Sequence, residues 1–117
     1  MALTRTSQQE ENLTVQINFD EAFLLLKNAY EKVGKIQSVQ DGIGRITGRI
    51  GSGYLNMNGA DVTINVKKID NLTCEFRIIA TAQEGLISQN TCGKAISRIL
   101  DAVSLCLGQK EIRKIIK

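Results

Sequence analysis

The sequence predicts an α+β fold with two layers, in which a single twisted antiparallel sheet of about five to six strands carries two helices on one face. Two stretches, one after Asn18 and one between Ser88 and Gly108, place apolar residues at helical spacing. Between them, from residue 35 to about 83, apolar residues recur at every second position, and turn-forming pairs interrupt the pattern. The predicted element order is therefore β-α-β(4-5)-α.

The length of 117 residues suits one domain and is too short for two ordinary ones. We expect a flexible polar leader at residues 1–12, a single α+β domain at 13–108, and a short basic amphipathic segment at 109–117. The leader lacks the apolar region of a signal peptide, and no apolar run approaches the roughly 20 residues of a membrane span. The sequence therefore predicts a cytoplasmic protein.

The residue types that are missing exclude several kinds of active site. The chain has no His, no Trp and no Pro, which rules out a Ser-His-Asp triad and most zinc sites. Its three cysteines, Cys74, Cys92 and Cys106, form no C-x-x-C pair and are expected to be reduced, buried thiols. We therefore predict no catalytic residue, no metal site and no cofactor, and a protein that is not an enzyme.

The first helix has a capping signature at its start and a glycine at its end. A short strand at 13–17 precedes it. Asn18 is then expected to be the N-cap, and Glu21 completes a capping box three residues later. Gly34 lies where a C′ glycine would end the helix in the left-handed conformation. These signals predict a helix bounded by Asn18 and Gly34.

Pairs of turn residues divide the central region into hairpins. Asp41-Gly42 is expected to join the first two strands, Ser52-Gly53 is a second turn, and Asn58-Gly59 is a third turn of two residues. The Gly-rich segment 42–53 opens no helix and lacks a following G-K-[ST], so turns and bulges explain it better than a phosphate-binding loop. Within it, Gly48 is expected to make room for a bulky neighbour or for a bend.

The alternation of apolar residues gives the predicted register of the last hairpin, because buried residues must pair with buried residues. A three-residue loop at 69–71 pairs Ile64 with Phe76, which are both apolar. A loop of this length usually ends in a residue with positive φ, and Asn71 tolerates that conformation. A negative φ at Asn71 would count against this register.

The element order over residues 13–107 resembles the TATA-binding-protein-like fold, a β-α-β4-α unit, and more distantly the helix-grip fold. The stretch at 82–90 (AQEGLISQN), which leads into the last helix, is also similar to that of small uncharacterised bacterial α+β domains. The resemblance implies a fold and a bacterial source. It transfers no catalytic residue, because one fold hosts many functions.

The predicted register gives the sheet a polar face on the side that the helices leave open. The candidate binding residues on this face are Arg45, Arg49, Tyr54, Asn65, Lys67 and Arg77. One interpretation is a solvated face with cross-strand ion pairs. The other is a binding platform whose cations contact phosphates. Asp61 and Glu75 on the same face, and the scarcity of stacking aromatic residues, weigh against nucleic-acid binding.

The function predicted from the sequence is a non-enzymatic interaction or scaffold module that acts through its polar sheet face or through a homo-oligomer surface. The alternative is a small-molecule or lipid carrier with a groove between sheet and helices, although small residues such as Ala29 and Ala95 favour close packing there. A lesser alternative is weak nucleic-acid binding by the sheet face. The expected partners are a second copy of the chain, or an unidentified protein or small molecule, whereas nucleic acid and membranes are disfavoured.

Overall fold

The computed structural model describes residues 5–51, 59–84 and 90–116, with side chains over 7–51, 59–82 and 90–108. The elements are β1 Arg5–Val15, α1 Phe19–Val33, β2 Gly34–Gln40, a 3-10 turn at Asp41–Ile43, β3 Arg45–Gly51, β4 Gly59–Asp70, β5 Thr73–Glu84 and α2 Thr91–Ile116. The five strands form one antiparallel sheet with the order β1-β5-β4-β3-β2. The predicted α+β fold with two layers is confirmed.

Strand β1 is longer than the sequence predicts, because it begins at Arg5 instead of Leu13. All 11 of its residues pair with β5. Polar residues fill most of β1, since it lies at the edge of the sheet and most of its described side chains are exposed. The segment expected to be a flexible leader, 1–12, therefore contributes its residues from Arg5 onwards to the sheet.

Helix α1 begins as predicted, since the Asn18 side chain accepts a hydrogen bond from the Glu21 amide at 2.8 Å. Its end differs from the prediction. Gly34 takes an extended conformation, with φ −157° and ψ −167°, and is the first residue of β2. Space rather than φ requires a glycine there, because a Cβ would overlap the Arg49 carbonyl oxygen and Ile50 on the neighbouring strand β3.

The hairpin between β2 and β3 is confirmed at its predicted place, although its loop is longer than two residues. Gln40 pairs with Arg45, and the 3-10 turn and Gly44 lie between them. Gly44 has φ 68°, which a glycine adopts at no steric cost. Its carbonyl oxygen accepts a hydrogen bond from the Val66 amide at 2.7 Å, so the loop continues the pairing toward β4.

Strand β3 pairs directly with β4, which shows that the predicted two-residue turn at Asn58-Gly59 is wrong. Such a turn would pair Val62 with a strand formed by the residues before it. Val62 instead has Gly48 of β3 on one side and Ala80 of β5 on the other, so no third strand can pair with it. The other predicted turn, Ser52-Gly53, lies outside the described residues.

The register of the β4–β5 hairpin is shifted by two residues from the prediction. Ile64 pairs with Ile78 instead of Phe76. Because side chains alternate between the two faces, a shift of two residues leaves each of them on its predicted face. The alternation rule therefore fits both registers equally well and could not choose between them.

The turn chemistry explains the observed register. Asn71 does not have the positive φ that the predicted loop needs. The Asp70 carboxylate instead accepts a hydrogen bond from the Leu72 amide at 2.8 Å, which stabilises a tight turn at 71–72. A register shift between Lys68 and Asp70 takes up the extra residue.

Helix α2 begins later and ends later than the expected span between Ser88 and Gly108, since it runs from Thr91 to Ile116. Ser88 lies outside the described residues. Gly108 lies within the helix, where a glycine costs about 1 kcal/mol relative to alanine and no proline follows to end it. Most of the predicted C-terminal segment, 109–117, is thus helical. Neither helix in the described part of the chain combines the length and the apolar character that crossing a membrane requires.

The apolar residues of the sheet face the helices, as the alternation predicts. Val62, Ile64 and Val66 are 0%, 0% and 5% exposed. The residues between them in β4 point to the other face and are half-buried. The core therefore lies between the sheet and both helices, and the polar face predicted from the sequence is the open face of the sheet.

The three cysteines are free, as predicted, with Cys74 and Cys92 buried and Cys106 half-buried. Burial raises the pKa of the Cys74 thiol above its ordinary value. A thiol whose pKa is raised forms little thiolate at neutral pH, so Cys74 behaves as a small apolar side chain.

Candidate functional site

The candidate residues predicted from the sequence lie together on the open face of the sheet. They are Arg45 and Arg49 in β3, Asn65 and Lys67 in β4, and Arg77 in β5. Tyr54, the sixth candidate, lies outside the described residues. The strand register places Asn65 between Arg45 and Arg77 in one row across three strands.

Two of these arginines are already engaged with neighbours across the strands. Arg45 Nε donates to Asn65 Oδ1 at 2.9 Å, and Arg49 forms an ion pair with Asp61 at 3.1 Å. Exposed pairs of this kind contribute only about 0–1 kcal/mol. They fit the interpretation of this face as a solvated sheet surface with cross-strand pairs.

The third arginine, Arg77, links β5 to the edge strand β1. Its Nε and Nη2 donate to the two carboxylate oxygens of Glu10 at 2.9 and 3.1 Å. The hydrogen bonds from Arg77 hold the pKa of the Glu10 carboxyl below its usual value, and the hydrogen bonds to Glu10 raise the pKa of Arg77. Because Arg77 is engaged in this way, the sheet face offers fewer free cations than the sequence suggests.

Apolar side chains fill the layer between the sheet and the helices. Side chains with 0% exposure in this layer include Leu26, Ala29, Tyr30, Ile46, Ile64, Phe76, Ala80, Ala95 and Ile99. The alanines among them let both helices approach the sheet closely. The described residues of this layer are closely packed, as the small residues in the sequence predict.

One polar side chain lies inside this layer. The Tyr30 hydroxyl donates to the Val62 carbonyl oxygen at 2.8 Å, and a Cβ at Gly48 would come within 2.9 Å of the hydroxyl oxygen. Gly48 thus makes room for a bulky neighbour, as predicted. Burial, and to a lesser degree the charge of Asp61, raise the pKa of Tyr30 far above its usual value. This hydroxyl is therefore a structural hydrogen-bond donor.

A small polar cluster joins β1 to the first turn of α2. Ser7 Oγ and Cys92 Sγ lie 3.4 Å apart, and Gln9 Nε2 donates to the Asn90 side chain at 3.1 Å. Asn90 has φ 55°, and its side chain occupies the space that a Cβ at Gly93 would need. These groups bond to one another and hold the start of α2 against the edge strand, so the cluster is structural.

An open groove of about 270 Å³ lies between the C-terminal end of α1 and the middle of α2. It is lined by Lys32 and Val33 of α1 and by Arg98, Asp101, Ala102 and Leu105 of α2. The four α2 residues have i, i+3, i+4, i+7 spacing and therefore share one face of that helix. We refer to this feature as the α1–α2 groove. Its surface is mainly apolar, with charged side chains of both signs beside the apolar ones.

Arg98 is the charged residue of the α1–α2 groove whose position is best defined. Its Nη1 donates to the Gly51 carbonyl oxygen at 2.8 Å, at the end of β3, and the side chain is half-buried. Lys32 and Asp101 form no ion pair with any side chain in the described part of the molecule. The groove thus presents two cations and one carboxylate that do not neutralise one another by direct contact. No three acidic or cysteine side chains gather to hold a metal ion within the described ranges.

The sequence did not indicate this groove. Its helical pattern assigns Arg98 and Asp101 to the water face of α2, and Lys32 to the outer face of α1. Periodicity separates a core face from an outer face, but it does not reveal that a second helix flanks the outer face. The one available signal is that Ala102, next to two charged positions, is small enough to leave space between the helices.

Comparison with known proteins gives no match at the level of sequence families. No protein-family model matches the chain, and no curated protein matches it.

Several solved structures share the fold at low sequence identity. The di-domain aromatase/cyclase StfQ from the steffimycin biosynthetic pathway has a TM-score of 0.60 and 12% identity, covering 91% of this chain and 46% of that one. The Zhui aromatase/cyclase from Streptomyces sp. R1128 has a TM-score of 0.53 and 11% identity, covering 93% and 96%. A norcoclaurine synthase point mutant from Thalictrum flavum, in complex with a transition state analogue, has a TM-score of 0.52 and 15% identity, covering 94% and 99%. The chain spans less than half the length of the di-domain enzymes.

These neighbours correct three predictions. The neighbours named above are aromatase/cyclases and a synthase, which are enzymes. This finding contradicts the prediction of a non-enzymatic scaffold module and the prediction that the protein is not an enzyme. The resemblance to the TATA-binding-protein-like fold is not supported either. The more distant resemblance, to the helix-grip fold, agrees with the neighbours. At this level of identity the likeness concerns the fold alone.

Proposed function

We propose that this chain is an enzyme that binds a small, ring-containing carbonyl compound in the α1–α2 groove and transfers a proton at the carbon beside the carbonyl. The observation that carries the proposal is the groove itself, in which Asp101 and Lys32 stand beside an apolar surface. The aromatase/cyclase and synthase activities printed for proteins with the same fold support it.

The α1–α2 groove is open to solvent and has room for a small ligand. Its volume of about 270 Å³ is close to the lower end of ligand pockets, about 300 Å³. The apolar part of its lining comes from Val33, Ala102 and Leu105. Leu105 is 56% exposed, so a ring placed against it would remove apolar surface from water.

The charged residues supply the chemistry of carbon–carbon bond formation. The Asp101 carboxylate takes a proton from the carbon beside the carbonyl, and the C–H electron pair forms the C=C bond of an enolate. The negative charge then rests on the enolate oxygen, where the Lys32 ammonium stabilises it. The enolate carbon attacks a second carbonyl carbon, and the displaced π pair moves to that carbonyl oxygen, which recovers the proton from Asp101.

Exchange of α-protons in D₂O tests the first step without requiring the natural substrate. We expect the chain to accelerate the replacement of hydrogen by deuterium beside the carbonyl of phenylacetone, followed by ¹H NMR. Substitution of Asp101→Asn removes the base and should lower the accelerated rate by about 100-fold or more, which is the contribution of a positioned proton acceptor.

Asp41→Asn is the matched control, because Asp41 is exposed in the β2–β3 loop and lies outside the groove. It should leave the exchange rate unchanged. A wild-type rate equal to that in buffer alone, or full activity in the Asp101 variant, would contradict the proposed function.

A further inference from the structure

Among the described residues, the Arg98 guanidinium has one hydrogen-bond partner. Nη1 donates to the Gly51 carbonyl oxygen at 2.8 Å. A guanidinium carries five N–H groups, so one hydrogen bond leaves most of its donors for other acceptors. Over the described residues the Arg98 side chain has no carboxylate partner. A half-buried cation fixed by a backbone carbonyl and left without a counter-ion is pre-organised for an anionic group from outside.

The charges around the groove favour an anion at this end. Lys32 and Arg98 are cationic and Asp101 is anionic, so the lining has an excess of positive charge. Arg98 and Asp101 are three residues apart on the same face of α2, yet they form no ion pair. The carboxylate of Asp101 is therefore not the acceptor that satisfies the guanidinium.

We infer that the ligand of the α1–α2 groove carries a carboxylate, which Arg98 binds through its free N–H groups while the ring lies on the apolar lining. This inference rests on the proposed function and names the class of its substrate: a small aromatic oxo acid. A planar carboxylate with two oxygens matches the forked guanidinium donors, whereas Lys32 offers a single point charge and stays available for the enolate oxygen.

A matched pair of ligands tests the carboxylate inference separately from the proposed function. Phenylpyruvate and phenylacetone share the ring, the methylene carbon and the ketone, and they differ in carrying a carboxylate or a methyl group. We expect phenylpyruvate to bind about tenfold more tightly or better, as measured by ligand-observed NMR titration, because a hydrogen-bonded charge pair in a partly desolvated site contributes that much. Raising NaCl from about 20 mM to about 500 mM should reduce this preference by screening.

Variants of the two cations locate the contact. Arg98→Gln should bring the ratio of the two dissociation constants close to one, and Arg98→Lys should lose part of the preference while keeping the charge. Lys32→Gln should reduce the ratio much less than Arg98→Gln does. Lys94→Gln, at an exposed position of α2 outside the groove, is the control and should leave both constants unchanged. Because Arg98 also bonds to β3, thermal melts of its variants must show a folded protein; Arg98→Lys keeps a donor for Gly51.

The outcomes distinguish this inference from the proposed function. If neither ligand binds and the chain accelerates the α-proton exchange of neither over the rate in buffer, the proposed function fails. If both bind equally well to the wild-type chain, the carboxylate assignment fails and the proposed function stands. Tighter binding of phenyl phosphate than of phenylpyruvate would also overturn the assignment, since Arg98 would then prefer a phosphate group. A preference for phenylpyruvate that survives Arg98→Gln in a folded variant would place the carboxylate elsewhere.

Discussion

Among the residues whose side chains are described, Tyr30 is the largest that is fully buried, and its one polar atom is matched to the backbone of two strands. The hydroxyl donates to the Val62 carbonyl oxygen of β4 and lies against Gly48 of β3. A buried hydroxyl without a partner would cost free energy, whereas this one gains a hydrogen bond that only its neutral form can donate. Tyr30 therefore ties helix α1 to the middle of the sheet.

The raised pKa of Tyr30 makes the stability depend on pH in the alkaline range. In the unfolded chain the phenol loses its proton near the ordinary value of 10.0, while the folded chain keeps it. The contribution of Tyr30 is therefore fully present below pH 10 and is lost as pH rises further, by about 1.4 kcal/mol per pH unit. Urea unfolding between pH 8 and 11 should show this decline, and Tyr30→Phe should show less of it.

At neutral pH the same substitution, Tyr30→Phe, should lower the free energy of unfolding by about 1 kcal/mol through the lost hydrogen bond. Asn28→Ala is the control, because it keeps both tyrosines of the chain, and it is expected to keep the wild-type decline at high pH. An identical alkaline slope in wild type and Tyr30→Phe would show that this hydroxyl ionises in the folded state as freely as in water.

Single residues also mark the limit of prediction from the sequence. The role of Gly48 was predictable, because a glycine inside an alternating strand pattern indicates a close approach. The roles of Arg98 and Lys32 were not, because both occupy outer positions of amphipathic helices, where charged residues are ordinary. Only the packing of α1 beside α2 turns those outer positions into the walls of a groove.

At the scale of elements, the start of helix α1 depends on one side chain. Asn18 Oδ1 accepts the hydrogen bond from the Glu21 amide, one of the N–H groups that the first helical turn leaves without a carbonyl partner. Asn18→Ala should lower the free energy of unfolding by about 1 kcal/mol, as measured by chemical denaturation.

The control for this change is Asn28→Ala, the same substitution at an exposed position inside α1. Alanine is a better helix former than asparagine, so this variant should be slightly more stable than the wild type, by about 0.5 kcal/mol. Equal losses in the two variants would mean that the cap contributes nothing specific.

Pairing between strands was less predictable than helix capping. Alternation placed each β4 and β5 side chain on its correct face, but it could not detect a slip of two residues. The first part of β1, residues 5–12, was predicted to be a flexible leader for a related reason. Its residues from Arg5 to Asn12 are polar on both faces, so an edge strand there looks like a loop. Arg77 and its carboxylate partner Glu10, far apart in sequence, hold this polar strand in place.

For the whole molecule, the sequence was sufficient for the fold class and insufficient for the function. The fold class follows from the period of the apolar pattern, which each element displays by itself. The α1–α2 groove depends on how two helices, separated in sequence by four of the five strands, come to lie side by side. The groove places the candidate chemistry between the two helices and not among the buried side chains that face the sheet.

The burial of two cysteines in the core allows a test of whether the sheet and the helices unfold together. Cys74 at the start of β5 and Cys92 at the start of α2 are 0% and 1% exposed and lie in different parts of the same core. If sheet and helices unfold as one cooperative unit, both thiols become accessible to solvent only in the same unfolding event. Two double variants each keep one of these cysteines: Cys92→Ala/Cys106→Ala keeps Cys74, and Cys74→Ala/Cys106→Ala keeps Cys92. We expect a thiol reagent to label both variants equally slowly, once each labelling rate is divided by that of the unfolded chain and corrected for the stability of the variant. Labelling of Cys92 well ahead of Cys74 would instead reveal that α2 leaves the sheet before the rest unfolds.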